Sequence, residues 1–207
     1  MITMAKKQNN KFKNRKNADP KISYKQKFII STEGTKTEVE YFDILQGYSD
    51  HIINTINRDA GKSSPDKVLK DLKAKLTKKN LRKTDEAWIV VDIDNWTEEQ
   101  IEATLNFSQE KSNYHCAISN PKFEYWLLMH FEEPKGGLTI QKCDAAIKRH
   151  IQNYNKGIPP SKITFENVRE AIERAKSRHH GTELEYPKGN NNGSTLYLLV
   201  EKLLKKE

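Results

Sequence analysis

The stretch that decides the fold is AWIVVDID, residues 87–94. Five successive apolar residues without polar alternation are typical of a strand buried on both faces, as in a parallel sheet with helices on both sides. Thr97 follows as a helix N-cap, and Glu98, Glu99 and Gln100 complete the first helical turn. The stretch therefore predicts a buried strand followed by a helix.

The same unit of strand and helix occurs three more times. Its strands are the apolar runs KFIIST at 27–32, HIINTI at 51–56 and YHCAIS at 114–119. The first run precedes the helical spacing of TEVEYFDIL, and the second precedes a loop at 57–64 and a helix that Pro65 opens. The helix after the third run is predicted to begin with Asn120 as its cap and Pro121 at its first position. Four consecutive units predict an α/β fold, a parallel four-stranded Rossmann-like sheet flanked by helices.

The pattern changes after residue 131. No strand is predicted there, and the polar stretch GNNNG at 189–193 is predicted to be a loop. Helices are predicted at 140–152, 165–178 and 194–205. The second part of the chain is therefore expected to be helical.

Three parts are predicted along the chain. They are a basic arm at 1–23 that is disordered in isolation, an α/β core at 24–131 and a helical extension at 132–207 that packs on the core. The first 27 residues hold nine bases and one acid, a formal charge of +8 that equals the net charge of all 207 residues. Such an arm is suited to neutralising nucleic-acid phosphates, and it is equally compatible with a solubilising tail.

Composition excludes several classes of protein. The chain is 35% hydrophobic with a mean hydropathy of −0.86, and no run approaches the roughly 20 apolar residues of a membrane span. Because the lysine-rich start lacks the apolar segment of a secretory signal, a cytoplasmic location without a membrane partner is expected. Cys116 and Cys143 are too few for a disulfide framework or a cysteine-based zinc site.

Acidic residues follow three of the predicted strands. Glu33 comes after the first, Asp92 and Asp94 end the third, and Asn120 with Glu124 follows the fourth. The carboxyl ends of parallel strands meet at one edge of a sheet, where such folds bind their ligands. Asp92 and Asp94 are two residues apart on an extended segment, so both side chains are expected on one face with Cα atoms about 6.6 Å apart. Asp92, Asp94 and Glu33 are therefore predicted to meet.

Carboxylates gathered in this way require compensation. Two of them about 4 Å apart repel by about 4 kcal/mol at an effective dielectric near 20. The remedies are a raised pKa, a lysine or arginine partner, or a divalent cation, and an oxygen-only ligand set favours Mg²⁺ or Mn²⁺. Two structural interpretations remain open: Asp92 and Asp94 as a strand-end turn that caps the next helix, and Glu33 as an acid at a helix start.

The segment EGTKTE at 33–38 has parts of an anion site. Gly34 permits close backbone approach and Lys36 lies near a helix start, although the spacing is not that of a P-loop. Lys36 is thus a candidate phosphate contact or a solvated surface lysine. Glu38, which follows in the first helical turn, is a possible site residue whose role stays open.

The apolar stretch NPKFEYWLLMHF predicts a buried helix. Glu124 interrupts it four residues after Asn120, beside the expected ligand crevice, and is predicted either to be a further metal ligand or to hold a lysine. Asn120 is a candidate for phosphate or nucleic-acid contact. His130 is interpreted as a hydrogen-bonded core residue. His179 and His180 either contact phosphates or lie in a surface loop.

Three motifs resemble the RloB-like family, bacterial proteins linked to restriction-modification and abortive-infection loci. They are STEGTKTEVEYF at 31–42, WIVVDID at 88–94 and SNPKFEYWLLMHF at 119–131. The resemblance extends over about residues 27–205, including GNNNGSTLYLLVEKL at 189–203.

The resemblance implies a Toprim-like fold, in which an acid after the first strand and an Asp-x-Asp after the third handle Mg²⁺. Glu33 matches the first acid, and Asp92 and Asp94 match the pair. It also implies a metal-dependent nuclease of anti-phage defence that cleaves RNA or DNA, often beside an ATPase partner of the ABC or SMC-like type. The alternatives are a non-catalytic module that binds nucleic acid or the ATPase, and a nucleotide-binding or phosphoryl-transfer enzyme. Strand passage and primer synthesis are not expected.

Overall fold

The computed structural model describes residues 24–56, 65–78, 81–94, 96–179 and 181–206. Its strands are β1 (Lys27–Thr32), β2 (Ile52–Thr55), β3 (Glu86–Asp92), β4 (Tyr114–Asn120) and β5 (Gly193–Ser194). Its helices are α1 (Thr37–Gln46), α2 (Pro65–Lys78), α3 (Glu98–Gln109), α4 (Phe123–Leu128), α5 (Ile140–His150), α6 (Phe165–Arg178) and α7 (Leu196–Leu203). The predicted basic arm, the predicted loop at 57–64 and His180 lie outside the described residues.

The strands form one sheet in the order β2-β1-β3-β4-β5, in which β1 to β4 are parallel and β5 is antiparallel to β4. The predicted α/β class and its four parallel strands are confirmed. The prediction of a purely parallel, four-stranded sheet without a strand after residue 131 was wrong. Gly193, the last residue of the predicted loop, and Ser194, the first residue of the predicted last helix, pair instead with the end of β4, where the Ser119 and Ser194 hydroxyls lie 2.9 Å apart.

Helices cover both faces of the sheet. On one face, α2 and α3 pack Val68, Leu72 and Phe107 against the odd-numbered β3 residues Ile89 and Val91. On the other face, α1 and α4 to α7 share one large apolar cluster with β1 and with the even-numbered β3 side chains. Because β3 is buried on both faces, its apolar run has no polar alternation.

The local signals for the helices succeeded except at α4. Thr97 caps α3 in a capping box with Gln100, as predicted. The predicted start of α4 at Asn120–Pro121 was wrong, because Asn120 is still the last residue of β4 and the helix begins at Phe123 with Lys122 at its N-cap. An Asn-Pro pair suits a strand end as well as a helix start, since Pro disfavours a helical conformation in the residue before it.

No helix within the described ranges combines the length and the apolarity needed to cross a membrane.

Candidate metal centre

A cavity of about 350 Å³ opens at the carboxyl ends of the central strands. It lies where β1 has β2 on one side and β3 on the other, which is the topological switch point of the sheet. The acids that line it are Glu33, Glu38, Asp92, Asp94 and Glu124, and the bases are Lys36, Lys122 and Lys156. Of the seven predicted site residues, all but Asn120 line this acidic cavity.

The Glu33 carboxylate lies over the end of β3. Its backbone N–H donates to the Val90 carbonyl at 3.1 Å, which extends the pairing of β1 with β3 by one residue. One carboxylate oxygen, Oε2, accepts from the Trp96 indole N–H at 2.5 Å and from the Asp92 backbone N–H at 3.3 Å. These contacts place Glu33 toward Asp92, as the sequence predicted, and identify Trp96 as its orienting partner.

Asp92 and Asp94 line the same cavity. Asp92 ends β3 opposite Ser119, and the Asp94 backbone N–H donates to the Pro121 carbonyl at 3.1 Å. Burial raises the pKa of Asp92 well above its ordinary value, and the negative charges of Glu38, Glu33 and Asp94 raise it further. A carboxyl in this position is protonated more readily than an ordinary one, and a bound cation would oppose that shift.

Glu38 is the fourth carboxylate of this group. It lies in the first turn of α1, is 6% exposed, and accepts a hydrogen bond from the Gly34 backbone N–H at 2.9 Å. Burial raises the pKa of Glu38 to about 7, and Glu124 adds to that rise. A β-carbon at position 34 would collide with the Glu38 carboxylate, so any larger residue there would displace that carboxylate.

Glu124 is paired with cations. It is 1% exposed, and its carboxylate lies 2.5 Å from Lys156 Nζ, 3.5 Å from Lys122 Nζ and 3.0 Å from the Tyr154 hydroxyl. Lys122 also binds Asp144 at 2.9 Å. Of the two predicted roles for Glu124, holding a lysine is therefore the one that the geometry displays.

The sequence analysis did not single out Lys122, Lys156 or Tyr154. A signal for Lys122 existed, because it lies two residues before a buried acid that had to be paired. Tyr154 and Lys156 lie in the connection after α5, 30 and 32 residues away, and no local pattern links them to Glu124. That connection is anchored on α1, where the Thr37 hydroxyl donates to the Lys156 carbonyl at 2.8 Å.

Lys36 and Asn120 occupy different environments. Lys36 is an exposed residue at the mouth of the acidic cavity, and its Nζ lies 3.5 Å from the Asn155 carbonyl oxygen. Asn120 is buried, and its side-chain amide donates to the Gly189 and Asn191 carbonyls at 2.9 and 3.1 Å. Asn120 thus fixes the polar loop before β5, away from the acidic cavity.

The histidines that the structure describes lie outside this cavity. The His130 Nδ1 donates to the Trp126 carbonyl at 3.1 Å, so its Nε2 accepts from the Tyr41 hydroxyl, and burial lowers the pKa of His130 to about 4. Its interpretation as a hydrogen-bonded core residue is confirmed. His179 ends α6 with its ring against Tyr197.

The donor set of the acidic cavity consists of oxygen atoms, which suits Mg²⁺ or Mn²⁺. Within the described ranges, no three Asp, Glu, His or Cys side chains are already arranged as a metal site. Glu33 is instead held by the Trp96 indole and the Asp92 backbone N–H, and Glu38 by the Gly34 backbone N–H. Side-chain rotations would be needed for these carboxylates to share one ion.

Neither the curated proteins nor the solved structures contain a match to this chain. A family model described as RloB-like protein matches residues 28–203, a range that holds every strand except the first residue of β1. The chain therefore belongs to the RloB-like protein family.

Proposed function

We propose that this protein is a Mg²⁺- or Mn²⁺-dependent Toprim-like nuclease of bacterial anti-phage (abortive infection) defence that hydrolyses RNA or DNA phosphodiesters. One observation carries the proposal. Asp92 is surrounded by the negative charges of Glu38, Glu33 and Asp94, and no described lysine or arginine lies within ion-pair distance of it. An arrangement that raises the pKa of a carboxyl in a ligand crevice is typical of a site completed by a cation.

The proposed roles follow from position. Asp92 and Asp94 would hold the ion, with Glu33 and Glu38 as further carboxylates within the same cavity. Bound there, a divalent ion supplies Lewis acidity to a phosphoryl oxygen and lowers the pKa of a water molecule. Glu33 is oriented by the Trp96 indole and the Asp92 backbone N–H, which suits it to accept a proton from attacking water.

Lysines that line the acidic cavity would bind the phosphate. Lys36 is exposed at the cavity mouth, and Lys156 is 55% exposed while it contacts Glu124. Both can therefore reach a phosphate oxygen without leaving a buried charge unpaired, whereas Lys122 is held by Asp144 and Glu124. We leave Glu124 out of the proposed ligands because its oxygens face these lysines and Tyr154.

The test is cleavage of end-labelled RNA and DNA by the purified chain with Mg²⁺, Mn²⁺ or EDTA. Asp92→Asn and Glu33→Gln should each reduce the rate by about a thousandfold or more, since each removes a group that the reaction requires. Asp50→Asn is the matched control, because Asp50 is an exposed aspartate outside the cavity. The same proteins should also be assayed after co-expression with the proposed partner, an ABC- or SMC-like ATPase encoded next to this chain. Cleavage that survives in both Asp92→Asn and Glu33→Gln would contradict the proposal.

A second function is favoured by the hydrogen bonds that already hold Glu33 and Glu38. They suit a non-catalytic Toprim-like module that binds nucleic acid or the ATPase without a metal. Such a module would show no Asp92-dependent uptake of Mn²⁺ in a calorimeter, whereas the nuclease requires it.

A further inference from the structure

A second cavity, of about 580 Å³, opens at the amino ends of β3 and β4, the edge of the sheet opposite the acidic cavity. The segment before β3 and the turn between α3 and β4 form its walls, with the end of α2 beside them. All of its charged lining residues are basic: Arg82, Lys83 and Lys111. We call this cavity and the exposed Lys75 and Lys78 of the last turn of α2 the basic edge.

The lysines of the basic edge are available to a ligand. Lys83 and Lys111 are exposed, and in the described part of the chain no carboxylate lies within 4.0 Å of either ammonium group. Arg82 differs, because its guanidinium is held by the buried Asp85 at 2.7 Å. Arg82 therefore gives the cavity a fixed wall, while the lysines supply mobile positive charge.

Aromatic rings lie among these cations. Tyr24 is 69% exposed, the largest exposure among the large hydrophobic side chains that the structure describes, and Arg82 lies 5.6 Å from its ring centre. The Tyr114 ring stacks on Phe107 at 4.8 Å and has Lys111 Nζ 5.0 Å from its centre. Cations beside a ring with an open face are typical of surfaces on which single-stranded bases stack.

The basic arm joins the body of the protein at this same place. The Arg82 guanidinium donates to the Lys25 carbonyl oxygen at 2.5 Å, next to Tyr24. In sequence, residues 1–23 carry seven bases and one acid. The stretch of sequence that precedes this contact is therefore itself positively charged.

We infer that the basic edge and Tyr24 form a binding site for single-stranded nucleic acid, with phosphates on Lys83 and Lys111 and a base stacked on the Tyr24 ring. An acidic protein would use the lysines but would have no need of the exposed ring. The inference is independent of hydrolysis at the acidic cavity, because it involves none of those side chains.

The test is fluorescence anisotropy of labelled 20-nucleotide RNA and DNA strands with the full-length chain in EDTA, over a series of salt concentrations. Lys83→Glu/Lys111→Glu should weaken binding by about tenfold or more and reduce the salt slope by roughly 0.7 for each lost phosphate contact. The matched control is Lys148→Glu/Lys162→Glu, which makes the same change of charge at exposed lysines of α5 and the Pro160–Lys162 turn. Equal weakening by both pairs would overturn the inference.

Tyr24→Ala tests the aromatic part of the site. It should weaken single-strand binding by about tenfold with an unchanged salt slope, since stacking on a ring releases no counterions. Displacement of the labelled strand by poly-glutamate of equal length as efficiently as by unlabelled strand would also overturn the inference, because it would show a surface that recognises only negative charge. EDTA suppresses metal-dependent cleavage, so failure here is distinguishable from failure of the proposed nuclease.

Discussion

The acidic cavity has a salt-bridged half around Glu124 and an acidic half around Asp92. The two halves differ in what balances the negative charge of their acids. Glu124 is fully buried, yet Lys122, Lys156 and the Tyr154 hydroxyl compensate its charge from within the chain. Asp92 is half-buried, and burial together with the negative charges of Glu38, Glu33 and Asp94 raises its pKa. The difference separates a cluster that folding completes from one that an external cation would complete.

This contrast also explains how the acids around Asp92 and the lysines that pair with Glu124 can line one cavity. Lys156 pairs with Glu124, and Lys122 pairs with Glu124 and Asp144, whereas neither ammonium group lies within ion-pair distance of Asp92. The salt-bridged half thus keeps lysines at the cavity wall, where a phosphate would be bound, and their charges offset only part of the acidic half. Each substitution considered next changes a residue of one half and no residue of the other half.

The largest expected effect concerns the pH dependence of stability in EDTA. Because the folded-state pKa of Glu38 is raised to about 7, its contribution to the free energy of unfolding is complete below about pH 4.5 and is lost as the pH rises to 7, by about 3 kcal/mol. Glu38→Gln should lack this contribution, whereas Asp92, whose pKa is also raised, still lowers the stability of both proteins as the pH rises. Chemical denaturation of both proteins between pH 4.5 and 8 measures the difference.

A comparison of the two proteins is needed because His130 acts in the opposite direction. Its pKa is lowered to about 4, so its contribution is present above about pH 6.5 and is lost as the pH falls toward 4. That contribution is common to wild type and Glu38→Gln and cancels in their difference. Parallel pH profiles for the two proteins would show that Glu38 is not destabilised by its surroundings.

The salt-bridged half is tested by Glu124→Gln. We expect a loss of about 2 kcal/mol in the free energy of unfolding, because Lys122 and Tyr154 lose a buried charged acceptor. Glu132→Gln is the matched control: its carboxylate binds Arg149 and His150 but is 34% exposed, and it should cost less than about 1 kcal/mol. Equal urea midpoints for the two variants would refute the structural role of Glu124.

The smallest effect is expected at Gly34. Gly34→Ala should cost about 1 kcal/mol, because the added methyl group displaces the Glu38 carboxylate. In a Glu38→Ala background the same change should cost nothing further, and Gly136→Ala, at a glycine with open space around it, is the control. An additive double mutant would show that the two positions do not interact.

Some residues of the site could be predicted from the sequence next to them, and others are placed only by contacts between distant parts of the chain. Glu33, Asp92 and Asp94 could be placed together because each directly follows an apolar strand, and the parallel sheet brings strand ends to one edge. The positions of Lys156 and Tyr154 could not be predicted, since they depend on how the connection after α5 docks on α1. Trp96 follows Asp94 closely, but only the fold shows that its indole reaches Glu33.

The same distinction applies to the fold. The runs in β1, β3 and β4 are long and apolar, so they were predictable from composition alone. β5 has two residues, and it exists because Gly193 and Ser194 meet the end of β4, a long-range contact without a local pattern. The sequence analysis placed Asn120 at a helix start because no local pattern indicates that its amide binds a loop almost 70 residues away.

The central claim is that Asp92 belongs to a group of acids completed by a divalent ion, whereas Glu124 does not. Titration calorimetry with Mn²⁺ on wild type, Asp92→Asn and Glu124→Gln tests it most directly. The account predicts uptake of Mn²⁺ by wild type and by Glu124→Gln, and affinity about a hundredfold lower or more for Asp92→Asn. Equal Mn²⁺ binding by wild type and Asp92→Asn, or no binding by wild type, would contradict it.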